Sequence, residues 1–298
     1  MTPHNPFVNV RSRSFIFWFF LSIPVLFVLS LIFAIAAGII AKIDNGFLLK
    51  KILLELILPN LWIYGLISYW CWYTVKRSHL NYKRIIGKFP SFVICLRLFS
   101  LVIPTLMLSL GTAYILFYFL SFLAPELVKS LLEQKSFLSV SASETYSPFL
   151  YNLLLAIVMV VVAPLTEEFL FRGIFLQRWA TKWGLTRAII FSSLAFGILH
   201  PNPIGLFIFG MLMALLYIKT RSLIVPIAFH SLYNGVLVFS QLISTFATKE
   251  ETFSTIEQFR SSWWQGILLI TISSPWIVFF IYKNWPSKQQ SIPYLVNN

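Results

Sequence analysis

Long apolar runs recur along the whole chain, and they constrain the fold more than any other feature of the sequence. The first covers residues 15–41, which exceeds the roughly 20 helical residues needed to cross the hydrocarbon core of a bilayer. The runs are continuous and do not alternate with polar residues, so helices are favoured over the closed barrels that also span membranes. Only 11% of the 298 residues are charged, against about a quarter in a soluble domain. The sequence therefore predicts an all-α, polytopic bundle of transmembrane helices.

About eight apolar segments are expected to form spans, with short or broken helices around an intramembrane site. They cover residues 15–41, 54–75, 92–123, 149–163, 188–200, 204–218, 223–243 and 263–282. Pro201-Asn202-Pro203 separates the fifth from the sixth, because proline at these positions cannot continue a helix. The polar loop 124–147 is the best internal boundary. It predicts an N-terminal transmembrane region of about three spans (1–147), a functional core (148–245) and a C-terminal loop, last helix and tail (246–298).

The distribution of basic residues predicts the orientation of the chain. The net charge of +13 is explained by the positive-inside rule, so the bilayer is the expected partner and nucleic acid is not. With eight spans and the N-terminus inside, fifteen of the 23 Lys and Arg residues fall on the cytoplasmic side. Both termini are therefore expected in the cytoplasm, as the retained first span after Arg11 and Arg13 also requires. A bacterial inner membrane is favoured over a thylakoid or another organelle membrane.

Ionisable residues inside apolar segments are costly and therefore point to function. The first group is Glu167-Glu168, followed four positions later by Arg172. Pro164 and carboxylates in a first turn are typical of the start of a helix. On a helix Glu168 and Arg172 share a face and can form an ion pair, whereas Glu167 points about 100° away. The spacing predicts one paired glutamate beside one that is free for chemistry; a solvated surface helix is the alternative.

Two further groups supply histidines. His200 closes a short apolar helix four residues after Phe196, where it can exchange protons near neutral pH; the alternative is a helix-end or interfacial histidine. His230 and Asn234 share a helical face and can offer two hydrogen-bond donors to a developing oxyanion; the alternative is a polar contact between helices. Because a carboxylate beside a histidine can polarise water as a general base, the three groups together indicate a hydrolytic site.

The three motifs, Glu167-Glu168-x-x-x-Arg172, Phe196-x-x-x-His200 and His230-x-x-x-Asn234, resemble those of the CAAX-protease and bacteriocin-processing family (CPBP, or Abi). This family includes type II CAAX-prenyl endopeptidases, and the resemblance covers residues 149–245. It implies a metal-independent glutamate endopeptidase within the membrane, with no cofactor, that acts on a membrane-associated or lipidated peptide or protein. In that family's pattern Glu167 and His200 would activate water, and His230 and Asn234 would form the oxyanion hole. Glu168 and Arg172 would have supporting roles, and Phe196 would help to shape the wall.

Three alternatives to this interpretation remain. A zinc peptidase could use His200, His230 and Glu167 as ligands, although Asn234 stands where a helical zinc pair would need a second histidine and no HExxH motif occurs. A non-catalytic membrane scaffold or immunity-type protein could share the same fold. A transporter could also use broken helices and buried carboxylates, but the sequence shows no evident two-fold repeat.

Overall fold

The structure is a computed structural model that describes residues 5–43, 56–133, 148–247, 255–287 and 289–297. These ranges contain helices, turns and no β-strand, so the predicted all-α fold is confirmed. A 3₁₀ turn at Pro6–Asn9 comes first. The helices are α1 (Arg13–Ile43), α2 (Leu58–Arg77), α3 (Tyr82–Ile86), α4 (Phe92–Phe99), α5 (Val102–Leu123), α6 (Pro125–Glu133), α7 (148–183), α8 (Leu185–Ile198), α9 (Pro203–Thr220), α10 (Ile224–Ala247), α11 (Ile256–Ser261), α12 (Trp263–Asn284) and α13 (Pro293–Val296).

Five helical stretches in the described ranges are long and apolar enough to cross a membrane. They are Arg13–Ile32, Val102–Leu123, Leu150–Trp183, Pro203–Thr220 and Ile256–Asn284. Helix α8 is apolar but shorter. These helices make the chain an integral membrane protein, because a soluble fold would not carry so many spans of this length. The count of eight spans and the cytoplasmic position of the termini stay predictions, and residues 134–147 of the proposed boundary loop lie outside the described residues.

Helix α7 is one long helix in which α-helical and π-helical turns alternate. Its α segments are Pro148–Ile157, Ala163–Glu168 and Gln177–Trp183, joined by π segments at Val158–Val162 and Phe169–Leu176. The expectation that a helix starts at Pro164 is wrong, since Val162 before it is already helical. Wide π turns are frequent at functional sites, and here they let a proline stay inside the helix. The two glutamates therefore lie in the middle of α7.

The break between α8 and α9 is confirmed, and Asn202 explains how it is stabilised. Its Oδ1 accepts from the backbone N–H of Gly205 and so caps α9. Its Nδ2 donates to the Ser109 carbonyl, 2.7 Å away on α5. Gly197 lets α8 and α9 approach closely, because a Cβ there would lie 2.6 Å from the Pro203 carbonyl oxygen. Helix α9 is the most buried span of the bundle.

Ring contacts give the relative directions of the helices that carry the site. Trp70 of α2 contacts Phe175 of α7, and Tyr64, earlier in α2, contacts Glu167, earlier in α7. Helices α2 and α7 are therefore parallel. Helix α1 runs the opposite way, because Phe15 packs on Trp70 and the later Phe19 packs on Trp62, earlier in α2. The beginning of α1 thus lies beside the ends of α2 and α7.

Candidate active site

Glu168 and Arg172 form a fully buried ion pair on α7. The exposed fractions of their side chains are 0% and 1%, and Arg172 Nη1 donates to Glu168 Oε1 over 2.9 Å. Arg172 Nη2 donates to the Gly210 carbonyl of α9 over 3.0 Å, and the guanidinium lies 4.7 Å from the centre of the Phe196 ring. The pairing expected from the i, i+4 spacing is confirmed. Burial of both charges is tolerated because each has a close partner of opposite sign.

His230 joins this buried pair from α10. Its Nδ1 lies 2.9 Å from Glu168 Oε1, and the side chain is 5% exposed. Because a carboxylate oxygen accepts from Arg172 and from His230 at once, Nδ1 carries the proton and Nε2 is left for other contacts. Glu168 Oε2 has no hydrogen-bond partner within the described part of the chain. Glu168 therefore orients the His230 ring and links α7, α9 and α10.

Glu167 faces another direction and meets His200, which follows α8. Glu167 Oε2 lies 4.0 Å from His200 Nε2, and the two side chains are 14% and 28% exposed. His200 Nδ1 lies 2.7 Å from the Phe196 carbonyl oxygen. A carbonyl can only accept, so Nδ1 carries a proton, and Nε2 is the ring nitrogen that faces Glu167. The pair is thus oriented, partly accessible, and able to hold a water molecule between a carboxylate and an imidazole nitrogen.

Phe196 lies beneath both histidines and is fully buried. Its ring centre is 4.5 Å from that of His200 and 5.9 Å from that of His230. Phe196 therefore packs behind the polar groups and does not line the cavity at the site, so its expected contribution to the wall is wrong. The Phe196 ring packs against the His200 ring, and the Phe196 carbonyl oxygen orients the same ring through Nδ1.

Asn234 contacts α7 rather than another site residue. Its Nδ2 donates to the Met159 carbonyl over 2.7 Å. This carbonyl lacks a helical donor for a local reason: the Ala163 N–H bonds to the Val158 carbonyl, and the next donor in the π register would come from Pro164, which has no N–H. Asn234 satisfies a buried acceptor that the π turn creates, as buried carbonyls require. One of its two N–H groups remains outside this bond.

Tyr64 is a site residue that the sequence analysis does not single out. Its hydroxyl donates to Glu167 Oε1 over 3.4 Å, a long hydrogen bond. It comes from α2, far from the three motifs in sequence, and it is one of 12 tyrosines in a chain rich in aromatic residues. No local pattern distinguishes it, because its role depends on the packing of α2 against α7.

A cavity of about 1430 Å³ opens in front of Glu167. Its walls come from the beginning of α1, from α2, α7 and α8, and they include Tyr64, Glu167, Phe171 and His200. His230 and Asn234 are not among its lining residues, although His230 lies within electrostatic reach of Glu167. Of the predicted site residues, the structure therefore brings Glu167 and His200 to the open cavity. It places Glu168, Arg172, Phe196 and His230 in a buried layer behind them.

Within the described ranges, no three His, Cys, Asp or Glu side chains converge as a set that could hold a metal ion. The set considered for zinc (Glu167, His200 and His230) is therefore not assembled in this arrangement.

The comparisons with known proteins agree with the motifs. Residues 149–236 match the family described as Type II CAAX prenyl endopeptidase Rce1-like. This segment is therefore similar to a CAAX-protease domain. Two curated relatives are each similar over about a third of the chain. YdiL of Bacillus subtilis (strain 168), named as a membrane peptidase, is 35% identical over 92 residues, which are 30% of this chain and 38% of YdiL.

The second relative is the membrane-embedded CAAX protease MroQ of Staphylococcus aureus (strain USA300). It is 32% identical over 102 residues, which are 31% of this chain and 41% of MroQ. The chain thus spans about two fifths of the length of these relatives. No solved structure matches it.

The matched segment, residues 149–236, supplies Glu167 and His200, but it does not enclose the cavity alone. Helices α1 and α2, which precede residue 149, close the cavity over the domain, and α2 adds Tyr64 to the Glu167 carboxylate. The helices outside the matched segment therefore contribute to the shape and the chemistry of the site.

Proposed function

We propose that the chain is an intramembrane endopeptidase that hydrolyses a peptide bond of a membrane-associated or lipidated substrate. The proposal depends above all on one observation: the Glu167 carboxylate lies 4.0 Å from His200 Nε2 at the wall of a large cavity. The ion pair behind it gives Glu168 a structural partner and leaves Glu167 for chemistry. The relatives named as membrane peptidases, and the family match over residues 149–236, support this activity.

In the proposed reaction, a water molecule binds between Glu167 and His200. Glu167 takes a proton from the water as its oxygen attacks the carbonyl carbon of the substrate, which is general-base catalysis. A tetrahedral intermediate forms with a negative charge on the former carbonyl oxygen. The C–N bond then breaks, and the leaving nitrogen receives the proton that Glu167 took from water, directly or through His200 Nε2. The products are a carboxylic acid and an amine, which become a carboxylate and an ammonium group when the acid proton passes to the amine, and both catalytic side chains return to their starting protonation.

The oxyanion would form on the α10 side of Glu167, where His230 and Asn234 are candidate donors. Glu168 accepts a hydrogen bond from His230 Nδ1, so Nε2 is the ring nitrogen that could donate to the oxyanion when it carries a proton. Asn234 could donate the N–H that Met159 does not use. Both donors would be fixed before the reaction, which is the condition for effective oxyanion stabilisation. Since neither lines the open cavity, this step requires the substrate carbonyl to pass beyond Glu167.

The proposal includes metal independence, because the reaction described above needs only groups that the chain itself supplies. The zinc-dependent version is the competing proposal. It would need Glu167, His200 and His230 to converge on one ion, and His230 would bind it through Nε2 while Nδ1 keeps its hydrogen bond to Glu168.

The experiment that tests the proposed function compares membrane proteomes by N-terminal labelling. Cells with the wild-type chain are compared with cells carrying Glu167→Gln, which keeps the shape of the side chain but removes its basicity. The matched control is Glu257→Gln, at an exposed carboxylate of α11. We expect a set of new N-termini that is present with wild type and with Glu257→Gln and lost with Glu167→Gln.

Two results would contradict this function. The first is an unchanged set of N-termini in the Glu167→Gln cells. The second is full biological activity of Glu167→Ala and His200→Ala chains that fold normally, which would favour a non-catalytic membrane scaffold or immunity-type protein. The expected setting is a bacterial inner membrane, with both termini in the cytoplasm.

A further inference from the structure

The cavity that contains Glu167 also contains an unusual concentration of positive charge. Five basic side chains line it: Arg11, Arg13, Arg77, Arg178 and Lys182. Among the lining residues within the described ranges, Glu167 is the only acid. None of the five basic residues forms an ion pair with a carboxylate in the part of the chain that the structure describes. The charge of this cluster, which we call the basic mouth, is therefore left for an anionic occupant.

The directions of the helices place the basic mouth at one end of the cavity. Helices α2 and α7 are parallel and meet at Tyr64 and Glu167. The residues that these two helices contribute to the basic mouth follow 11 or more positions later in each helix. At about 1.5 Å per residue, Arg178 lies roughly 15 Å along α7 from Glu167. Arg11 belongs to the same end, because Ser12 accepts a hydrogen bond from Trp179.

Local contacts hold part of the basic mouth in position. Arg178 donates to the Phe7 carbonyl over 3.0 Å, which ties α7 to the segment before α1. Trp179 and Trp183 line the same end of the cavity, and tryptophan beside Arg and Lys is typical of a membrane–water interface. The cavity thus leads from a charged interface to a carboxylate within the membrane.

We propose that the basic mouth binds acidic residues of the peptide substrate, on one side of the bond that is cut. This inference rests on the proposed function. An extended peptide advances about 3.3 Å per residue, so a distance of roughly 15 Å corresponds to four or five residues. The substrate class is therefore a peptide with an apolar segment at the scissile bond and Asp or Glu residues about four to six positions away.

An anionic lipid headgroup has similar chemistry and is the competing occupant. The peptide is favoured because the basic residues line the same continuous cavity as Glu167 and His200. A lipid held at the mouth would obstruct the route to the catalytic pair. The volume of about 1430 Å³ also exceeds the roughly 300–1,000 Å³ of small-molecule sites, as a peptide segment requires.

The test measures binding without hydrolysis. The full chain carrying Glu167→Gln is placed in phosphatidylcholine nanodiscs, and fluorescence anisotropy follows two labelled peptides. Both contain the same apolar segment, followed after four residues by Asp-Asp-Asp in one and Asn-Asn-Asn in the other. Exposed ion pairs each contribute modestly, so two or three of them predict roughly three- to tenfold tighter binding of the Asp peptide, which is about 0.7–1.4 kcal/mol in total. Salt should reduce this ratio.

Adding Arg11→Gln and Arg13→Gln should bring the ratio of the two affinities close to one. The matched control adds Lys83→Gln and Arg187→Gln, two exposed basic residues that do not line the cavity, and should leave the ratio unchanged. Lys182→Gln serves as a second test, with a smaller expected loss, if the double variant does not fold.

Equal binding of the two peptides would overturn the proposal, as would an equal loss with the control pair. Loss of the preference for Asp in nanodiscs that contain phosphatidylglycerol would assign the mouth to lipid instead. The outcome is separate from that of the proposed function, since binding to the Glu167→Gln chain does not depend on cleavage. Cleavage without any charge preference would remove this inference alone.

Discussion

The buried pair of Glu168 and Arg172 makes a quantitative prediction about stability. Replacing Arg172 with methionine keeps much of the side-chain volume but leaves the Glu168 charge with His230 as its hydrogen-bond partner. It also removes the donor to the Gly210 carbonyl. Removing one partner of a buried ion pair typically costs about 3–5 kcal/mol, because the other charge stays buried without compensation. We expect the free energy of unfolding to fall by about this amount.

The assay is unfolding of the purified chain in mixed micelles, with Arg187→Met as the control because Arg187 is an exposed residue of α8. The control should change the free energy of unfolding by no more than about 0.5 kcal/mol. The double variant Glu168→Gln/Arg172→Met should recover much of the loss, since it removes the uncompensated charge. The reasoning is refuted if Arg172→Met is no more harmful than Arg187→Met, or if the double variant is less stable than Arg172→Met.

Three further predictions follow from the site. Gly197→Ala should destabilise the chain by about 1–3 kcal/mol in thermal unfolding, because the new Cβ meets the backbone of α9. The control Gly65→Ala, at a glycine with open space around it, should be neutral or stabilising. Equal effects of the two substitutions would contradict the close approach of α8 and α9. Tyr64→Phe should lower kcat by up to about tenfold without a loss of stability, since one hydrogen bond to Glu167 disappears, and an unchanged kcat would remove Tyr64 from the reaction. Dialysis against a chelator should leave the cleavage rate unchanged; loss of activity that zinc restores would favour the zinc-dependent peptidase.

The sequence predicts the elements of the site better than their contacts. Apolar runs and the proline break at Pro201-Asn202-Pro203 predict the helical bundle and the α8–α9 hairpin, because both depend on local chemistry. The spacing of Glu168 and Arg172 predicts their ion pair for the same reason. Motif order identifies Glu167 and His200, and their facing geometry agrees with that interpretation.

Features that depend on packing between distant helices could not be predicted in this way. Pro164 resembles a helix start locally, but π turns on either side allow α7 to continue through it. The contact of Asn234 with the Met159 carbonyl is a consequence of those turns. Tyr64 becomes a site residue only when α2 packs against α7. Each case needs knowledge of a partner far away in sequence.

The most direct test of the central claim compares Glu167→Gln with Glu168→Gln in the purified chain, using one substrate identified by the proteome comparison. Single-turnover cleavage and unfolding are measured for both. If Glu167 is the general base, Glu167→Gln loses at least about a hundredfold in rate while its unfolding remains close to wild type. Glu168→Gln should show its main effect in unfolding, because its carboxylate is the buried partner of Arg172 and His230. Cleavage by the Glu167→Gln chain at the wild-type rate would contradict the account.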